Sequence, residues 1–391
     1  MRIPLSAPDV NEEDIQAVCD VLRTSRLSLG PKLEEFEHAI AAYVGASNAV
    51  AVNSGTSALH LCLRALGIGE RDEVIIPSFA FIAVANAVRH ERATPIFVDI
   101  ESDTLNLDPS QIESAITLRT RAIIVVHTFG CPANLEAILE IAGRHDLRVI
   151  EDACEAIGAE YNGRRVGAFG DAGIFSFYPN KQITTGEGGV VVTRNPEVSH
   201  FVRKVRNQGR DDPERWFQHS ELGYNYRISD INCTLGVEQL RRIEPILRRR
   251  EAIAMQYSQI LGSQPELNLP LLNMPVGRIS WFVYVIRLGI RFSQLHRDWI
   301  VREMQSRGIG VGRYFAPIHL QPIYKGWATE GTLPVTEQIA SRAIALPFFN
   351  RIQSDQIEEV CSTLTELTDS ASHMEKEGTS QHTPRMQSAA G

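Results

Sequence analysis

The sequence predicts an α/β protein with three layers, built on a mostly parallel sheet of about seven strands and followed by a smaller C-terminal α+β domain. Between residues 49 and 193, short apolar runs rich in β-branched residues alternate with helical patterns. The runs are almost wholly apolar, as in parallel strands that helices cover on both faces. The 391 residues, 43% hydrophobic and 22% charged, are sufficient for a sizeable core.

Each strand of the sheet is predicted from one of these runs. The predicted strands are residues 49–53, 73–77, 94–99, 122–128, 148–152, 172–177 and 189–193, and helices at 56–66, 83–89 and 135–145 separate several of them. Ligands of such sheets bind at the carboxyl ends of the strands. We therefore expect Asn53, Pro77, Asp152 and Ser176 at one edge.

The second part of the chain has a different pattern. Residues 233–260 predict one long helix, in which Pro245 is expected to cause a kink, and the segment 264–270 marks a boundary. A strand at 281–288, a helix near 294–306, a segment at 310–314 and a closing helix at 354–368 predict the small domain. We expect a large ligand-binding domain at 1–244, with an N-terminal arm, and a small domain at 245–368.

The polar residues 369–391 predict a disordered tail without a function, and a partner-binding tail is the alternative.

Charge and cysteine usage exclude several classes of function. The net charge of −8 and the absence of a basic stripe argue against a nucleic-acid partner. Six scattered cysteines without metal-ligand spacing predict reduced thiols, no metal site and a cytoplasmic location. No signal segment and no run of about 18 apolar residues is present, so no membrane association is expected.

Lys181 and Asp152 form the most informative pair. Lys181 lies in a glycine-rich segment between two predicted strands, and Asp152 ends a predicted strand upstream of it. This arrangement suits an enzyme that carries pyridoxal phosphate on the lysine as a Schiff base, while the carboxylate keeps the pyridine nitrogen protonated. A surface lysine and a helix-capping aspartate would explain each residue alone. Their combination favours the coenzyme site.

Two further features fit such a site. Residues 54–59 connect a strand to a helix, and the free N–H groups of a first helical turn suit a phosphate, although a simple helix cap explains them equally well. Ser176, at a strand end, can add a hydroxyl group. Phe81 follows another strand end and can stack on the pyridine ring, with Phe79 as an equally placed alternative.

Seven motifs in this order resemble those of the DegT/StrS-type sugar aminotransferases, which are pyridoxal-phosphate enzymes of the aspartate-aminotransferase-like fold type I. The motifs are the residues around 29–37, 53–59, 77–81, 151–156, 175–189, 222–230 and 314–322. The resemblance covers nearly the whole folded chain. It implies that the large domain binds the coenzyme.

The resemblance also implies a role for individual residues. Lys181 matches the Schiff-base lysine and Asp152 the partner of the pyridine nitrogen. Asn225 matches a residue that reaches the phosphate from a neighbouring subunit, which implies a homodimer with shared active sites. The remaining matches are Phe81 over the coenzyme ring, Gly55, Thr56, Ser57 and Ser176 at its phosphate, and Tyr314 and His319 near the sugar-nucleotide pocket. His319 is equally well explained as a buried structural histidine.

Two positions refine the expected function. A branch of the family has histidine in place of the lysine and catalyses dehydration, so Lys181 favours amino transfer. Glu155 stands where Gln or His is expected beside the phenolic oxygen of the coenzyme. It either shares a proton there or makes no contact.

The implied reaction moves an amino group from glutamate or glutamine to a nucleotide-linked 3- or 4-keto deoxysugar, for surface polysaccharides or secondary metabolites. The alternatives are amination of a keto-cyclitol or another non-nucleotide ketone, and a regulatory protein that binds pyridoxal phosphate.

Overall fold

A computed structural model describes residues 1–210 and 218–378. The helices are α1 (Glu12–Leu22), α2 (Pro31–Val44), α3 (Gly55–Ala65), α4 (Ala83–His90), α5 (Pro109–Ala115), α6 (Leu135–Arg144), α7 (Pro196–Arg206), α8 (Asp230–Arg241), α9 (Ile243–Leu261), α10 (Gln294–Ser306), α11 (Pro334–Ala340) and α12 (Ser354–Gly378). The strands are β1 (Asn48–Val52), β2 (Glu73–Pro77), β3 (Thr94–Val98), β4 (Thr120–Val126), β5 (Arg148–Asp152), β6 (Glu160–Tyr161), β7 (Arg164–Arg165), β8 (Ala172–Ser176), β9 (Gly189–Thr193), β10 (Leu267–Asn268), β11 (Gly277–Arg278), β12 (Tyr284–Leu288) and β13 (Ala343–Leu346).

The seven predicted strands form one seven-stranded sheet, which confirms the predicted fold class. Their order in the sheet is β1-β9-β8-β5-β4-β2-β3. Only β9 runs antiparallel to its two neighbours, β1 and β8. The observed bounds of β2, β5 and β9 equal the predicted ones, and those of β1, β3, β4 and β8 differ by one or two residues.

Helices cover both faces of this sheet. In β4, Ile123 and Val125 belong to the hydrophobic cluster on one face, whereas Ala122, Ile124 and Val126 belong to the cluster on the other. Successive side chains of a strand point to opposite faces, so a strand that is covered twice must be apolar throughout. The uninterrupted apolar runs of the sequence follow from this burial.

The strand directions bring the predicted ligand-binding residues to one edge. Because β1, β8, β5, β4 and β2 run in the same direction, the ends of these strands lie side by side. Val52 pairs with Gly189, and Gly189 pairs with Ser176, so the start of β9 lies at the same edge. Asp152 lies at this edge as the last residue of β5.

The predicted long helix at 233–260 is divided in two. The helix α8 ends at Arg241 and α9 begins at Ile243, so Pro245 lies in the first turn of α9. Proline has no N–H group to donate in a helix interior, but the first helical turn leaves its N–H groups unpaired in any case. The break therefore lies just before the proline.

The second part of the chain packs around its own hydrophobic cluster, which includes Tyr257, Tyr284, Ile300 and Leu364. Its sheet has the order β10-β12-β13. The segment 310–314 is not a strand of this sheet, and only Gly312 pairs with Ala345 of β13. The division of the chain after residue 244 stays a prediction.

The closing helix extends past the predicted end. Leu364, Leu367 and Ala371 are buried in the same cluster, because their spacing places them on one face of α12. The prediction of disorder from residue 369 is therefore wrong as far as Ala371. Residues 379–391 of the predicted tail lie outside the described residues. Within the described part of the chain, no helix is both long enough and apolar enough to cross a bilayer.

Candidate active site

A cavity of about 560 Å³ opens at the carboxyl edge of the large sheet. Its size falls in the range of roughly 300–1,000 Å³ that is typical of small-molecule sites. The lining combines residues from strand ends and loops of the first part of the chain with residues from the second part. Those from the first part are Ser54, Gly55, Thr56, Leu59, Phe81, Ala83, Val126, Asp152, Cys154, Glu155, Ile174, Ser176, Tyr178, Asn180, Lys181 and Glu187, and those from the second are Phe282, Arg313, Tyr314 and Phe315.

Lys181 reaches this cavity from the loop between β8 and β9. Its backbone N–H donates to Tyr178 O at 2.9 Å, which closes a turn. The side chain is only 12% exposed, and its Nζ lies 3.7 Å from Glu155 Oε1 and 4.0 Å from the centre of the Phe282 ring. The amine is thus held between a carboxylate and an aromatic face rather than in solvent.

Asp152 lies in the same cavity at the end of β5. Its Oδ1 accepts a hydrogen bond from Cys154 N at 3.0 Å, and its backbone oxygen accepts one from His127 N at 3.1 Å. The first contact holds the carboxylate, and the second holds the backbone of the strand end. Burial, followed by the charge of Asp152, raises the pKa of the Cys154 thiol well above its ordinary value, so this cysteine is not activated as a nucleophile.

A buried pair behind Asp152 holds the ends of β4 and β5 together. Glu151 accepts hydrogen bonds from the backbone N–H groups of Gly167, Phe169 and Gly170 at 2.6–2.8 Å. His127 Nε2 lies 3.1 Å from Glu151 Oε2, and His127 Nδ1 accepts from Ala133 N at 3.1 Å. The ring therefore carries its proton on Nε2 and donates it to Glu151. These hydrogen bonds keep the pKa of Glu151 below its ordinary value despite its burial.

The first turn of α3 provides backbone donors to the cavity. Ser54 caps this helix and accepts from Ser57 N at 3.1 Å, whereas the N–H groups of Gly55 and Thr56 have no helical partner. The strand end at Ser176 approaches the helix closely. A Cβ atom at Gly55 would lie 2.8 Å from Ser176 Cβ and 3.0 Å from Cys154 Sγ. A larger residue than glycine would clash at this position. The first turn of α3 and Ser176 thus form a polar recess, which we call the cup.

Glu155 faces the amine of Lys181. Its Oε2 accepts a hydrogen bond from Phe129 N at 2.9 Å, and its Oε1 is the atom near Lys181. Burial raises the pKa of Glu155 above its ordinary value, and the charge of Lys181 acts in the opposite direction. Glu155 thus forms an ion pair with Lys181, and its contact with the phenolic oxygen of the coenzyme stays a prediction.

Aromatic residues form much of the remaining wall. Phe81 is 61% exposed and lines the cavity, whereas Phe79 is fully buried in a cluster with Phe129 and Phe282. Of the two alternatives, only Phe81 can therefore contact a ligand. Burial, followed by the charge of Glu155, raises the pKa of the Tyr314 hydroxyl, which lies in the same wall.

Three predicted site residues do not line this cavity. Ser57 is turned to Ser54, whose hydroxyl it contacts at 2.9 Å, and Asn225 is exposed outside the cavity. His319 is buried, with Nδ1 2.6 Å from Ser78 Oγ and Nε2 3.2 Å from Glu337 Oε1. Both ring nitrogens are engaged, so the ring cannot bind a molecule in the cavity in this conformation. The placement of His319 fits the alternative that it is a buried structural histidine.

Other lining residues were not predicted. Tyr178 and Asn180 precede Lys181 in the loop, and a position so close to the lysine is a signal that could have identified them. Arg313 precedes the predicted Tyr314 and could have been found in the same way. No local pattern indicates Phe282. Near it, Gln182 donates to the backbone oxygens of Glu155 and Ser280 at 2.7 Å and 3.0 Å, which connects this segment to the loop that carries Lys181.

The donors around the cavity fit pyridoxal phosphate. The cup at Gly55 offers backbone N–H groups to an anion, Lys181 offers a primary amine, and Asp152 offers a carboxylate. The described residues contain no group of three or more His, Cys, Asp or Glu that could hold a metal ion.

Comparison with known proteins identifies the family. The sequence profile of the DegT/DnrJ/EryC1/StrS aminotransferase family matches residues 8–365. GDP-perosamine synthase from Caulobacter vibrioides is 38% identical over 373 residues, which are 94% of this chain and 98% of that protein.

Two solved structures are similar throughout. That of S. venezuelae DesV has a TM-score of 0.85 and 38% identity, covering 91% of this chain and 94% of DesV. The pyridoxal-phosphate form of Spr1654 from Streptococcus pneumoniae, described as a putative sugar aminotransferase, has a TM-score of 0.90 and 27% identity, covering 95% and 100%. The chain therefore belongs to the DegT/DnrJ/EryC1/StrS family of pyridoxal-phosphate-dependent sugar aminotransferases, which confirms the predicted enzyme class and coenzyme.

Proposed function

We propose that this enzyme transfers an amino group from glutamate or glutamine to a nucleotide-linked 3- or 4-keto deoxysugar. The observation that carries the proposal is the meeting of Lys181 and Asp152 at one cavity, on a chain that is 38% identical to a GDP-perosamine synthase over nearly its full length. The cavity is large enough for a ligand that extends beyond the coenzyme.

Each part of the cavity has a proposed role in holding pyridoxal phosphate. The N–H groups of Gly55 and Thr56 and the hydroxyl of Ser176 would bind the phosphate, and Phe81 would stack on the ring. Asp152 would pair with the ring nitrogen and keep it protonated. The bound coenzyme supplies an electron sink that stabilises a carbanion next to the amino nitrogen.

Lys181 is the proposed acid and base. With the coenzyme bound, the free amine of Lys181 would take up the proton from the substrate carbon and later release it, which requires a neutral nitrogen first and a protonated one afterwards. Glu155 Oε1 lies 3.7 Å from this amine, within ion-pair distance, and would help to position it. Burial raises the pKa of Glu155, and the charge of Lys181 opposes this shift.

Asn225 belongs to the proposed assembly. It lies outside the cavity of its own chain, which is compatible with a homodimer in which each subunit contributes this amide to the partner's phosphate site. Elution of the holoenzyme at the mass of two chains would support the dimer.

A cytoplasmic location remains part of the proposal, since the reduced cysteines predict it.

The space at Gly55 leads to a prediction for coenzyme binding. Gly55→Ala is expected to weaken the affinity of the apoprotein for pyridoxal phosphate by about tenfold or more, because the added methyl group displaces Ser176 from the cup. Fluorescence titration of the apoprotein measures this affinity. Gly143→Ala, whose added methyl group meets open space on α6, serves as the control. Equal affinity of the Gly55→Ala variant and the wild type would contradict the proposed phosphate cup.

The donor and acceptor can be tested separately by absorbance. The purified holoenzyme is first converted to its amine-coenzyme form with glutamate or glutamine, and the excess amino acid is removed. Nucleotide-linked 3-keto and 4-keto sugars are then offered, and return of the absorbance of the lysine-bound coenzyme identifies the acceptor. If only a keto-inositol restores it, the acceptor is a cyclitol. A spectrum that responds to no amino donor would instead indicate a regulatory protein.

A further inference from the structure

We propose that Arg313 is the residue that binds the α-carboxylate of the amino donor. This inference rests on the proposed function, in which the donor is an α-amino acid. Of the described residues that line the cavity, only Lys181 and Arg313 carry a positive charge, whereas Asp152, Glu155 and Glu187 are acidic. Lys181 is committed to the coenzyme. Among these residues, Arg313 is therefore the counter-charge that is available to the carboxylate of the donor.

The position of Arg313 is fixed by the backbone before it. Gly312 N donates to Ala345 O at 3.0 Å, and Ala345 N donates to Gly312 O at 2.8 Å. Arg313 thus directly follows a residue that is paired with β13. A preorganised side chain loses less conformational entropy when it binds a ligand.

The guanidinium is also oriented. Arg313 Nε lies 3.0 Å from Asp298 Oδ1, and the same oxygen accepts from Arg297 Nε at 2.6 Å. Arg297 is buried and donates to Ala340 O at 2.7 Å, so it holds Asp298 in place. With Nε occupied, the two terminal nitrogens of Arg313 remain for a ligand. Their planar fork matches a carboxylate, which they can bind with two parallel hydrogen bonds.

The location in the cavity favours the donor over the nucleotide. The α-carboxylate of an amino acid is attached to the carbon that carries the exchanged nitrogen, so its binding site must share a cavity with Lys181. The phosphates of a nucleotide sugar are separated from the keto carbon by part of the sugar ring. Phosphates and carboxylates nevertheless share anionic oxygens, and the experiment must distinguish them.

Arg313→Gln tests the assignment, and Arg291→Gln is its matched control. Both arginines lie in the second part of the chain, pair with one carboxylate and are similarly exposed, at 47% and 49%, but Arg291 pairs with Glu266 away from the cavity. Arg313→Gln is expected to raise the glutamate or glutamine concentration for half-maximal conversion of the holoenzyme by about 10- to 100-fold, the range for a lost charged hydrogen-bond pair. Conversion by n-butylamine, which lacks a carboxylate, is expected to change less than twofold.

Two binding measurements do not depend on turnover. Calorimetry with glutarate, a dicarboxylate that cannot react, is expected to show weaker binding to Arg313→Gln holoenzyme and unchanged binding to Arg291→Gln. Calorimetry with GDP is expected to give equal affinities for the wild type and both variants. The proposal would be overturned if Arg313→Gln bound GDP more weakly while its half-maximal amino-acid concentration and its affinity for glutarate were unchanged. Arg313 would then be a residue that binds the phosphates of the nucleotide.

Two other outcomes would separate a failure of this assignment from a failure of the proposed function. If Arg313→Gln changes neither the amino-acid concentration for half-maximal conversion nor the affinity for glutarate, the role of Arg313 is overturned. Failure of both glutamate and glutamine to convert the wild-type holoenzyme would overturn the proposed donors instead, and the glutarate measurement would still decide whether Arg313 binds carboxylates.

Discussion

Lys181→Ala is expected to abolish amino transfer, lowering the turnover rate by at least about 10⁴-fold, while the fold is retained. The variant removes the covalent attachment of the coenzyme and the group that moves the proton. Loss of the amine also leaves Glu155 without the charge that lowers its pKa. The pKa of Glu155 is therefore expected to rise further in this variant.

Three measurements check this expectation. Turnover is followed with the acceptor found in the absorbance experiment, the coenzyme spectrum reports the loss of the lysine-bound form, and thermal unfolding reports the fold. Lys32→Ala is a suitable control, because Lys32 forms an ion pair with Glu35 on α2 and does not line the cavity. Retained amino transfer in Lys181→Ala would refute the assignment of the catalytic lysine.

Asp152→Asn is expected to lower the turnover rate by about 10²–10³-fold, the usual cost of removing one electrostatic contact that stabilises a transition state. Asparagine has the same shape as aspartate, and its side-chain oxygen can still accept the hydrogen bond from Cys154 N. The change therefore removes the negative charge with little effect on local structure. Asparagine would not keep the ring nitrogen of the coenzyme protonated, which would make the coenzyme a weaker electron sink.

The reduced rate should persist at saturating substrate, because the lost interaction acts on the chemical step. Asp171→Asn makes the same charge change at the other end of the sheet, where Asp171 accepts from Val149 N at 2.8 Å, and is expected to keep the wild-type rate. A near-wild-type rate in Asp152→Asn would show that the partner of the ring nitrogen lies elsewhere.

The positions of Lys181 and Asp152 relative to the fold could be predicted from sequence because both depend on local pattern. Lys181 follows an apolar strand and Asp152 ends one, and parallel strands place their carboxyl ends at the same edge of a sheet. The same logic identified Ser176 and the turn at Gly55. Sequence spacing could not show how Glu155 is oriented, since this depends on the Phe129 backbone N–H, which the fold brings to Oε2, and on Lys181 near Oε1.

Residues that reach the cavity from the second part of the chain were harder to predict. His319 shares a motif with Tyr314, yet its ring is held by Ser78 at the end of β2 and Glu337 of α11, far apart in sequence. Phe282 and Arg313 line the cavity through contacts that only tertiary packing creates. Local sequence specifies where a side chain sits on its own element, but not which element packs opposite it.

By itself, the sequence determined the sheet, the seven strands, the coenzyme and the chemical class of this enzyme, because apolar periodicity and the order of its motifs are local properties of the chain. Only the tertiary structure decided which residues face one another across the cavity. The contact of Glu155 with Lys181, the burial of His319 and the position of Arg313 each depend on residues from distant segments. Long-range packing sets these distances, and a linear pattern does not contain them.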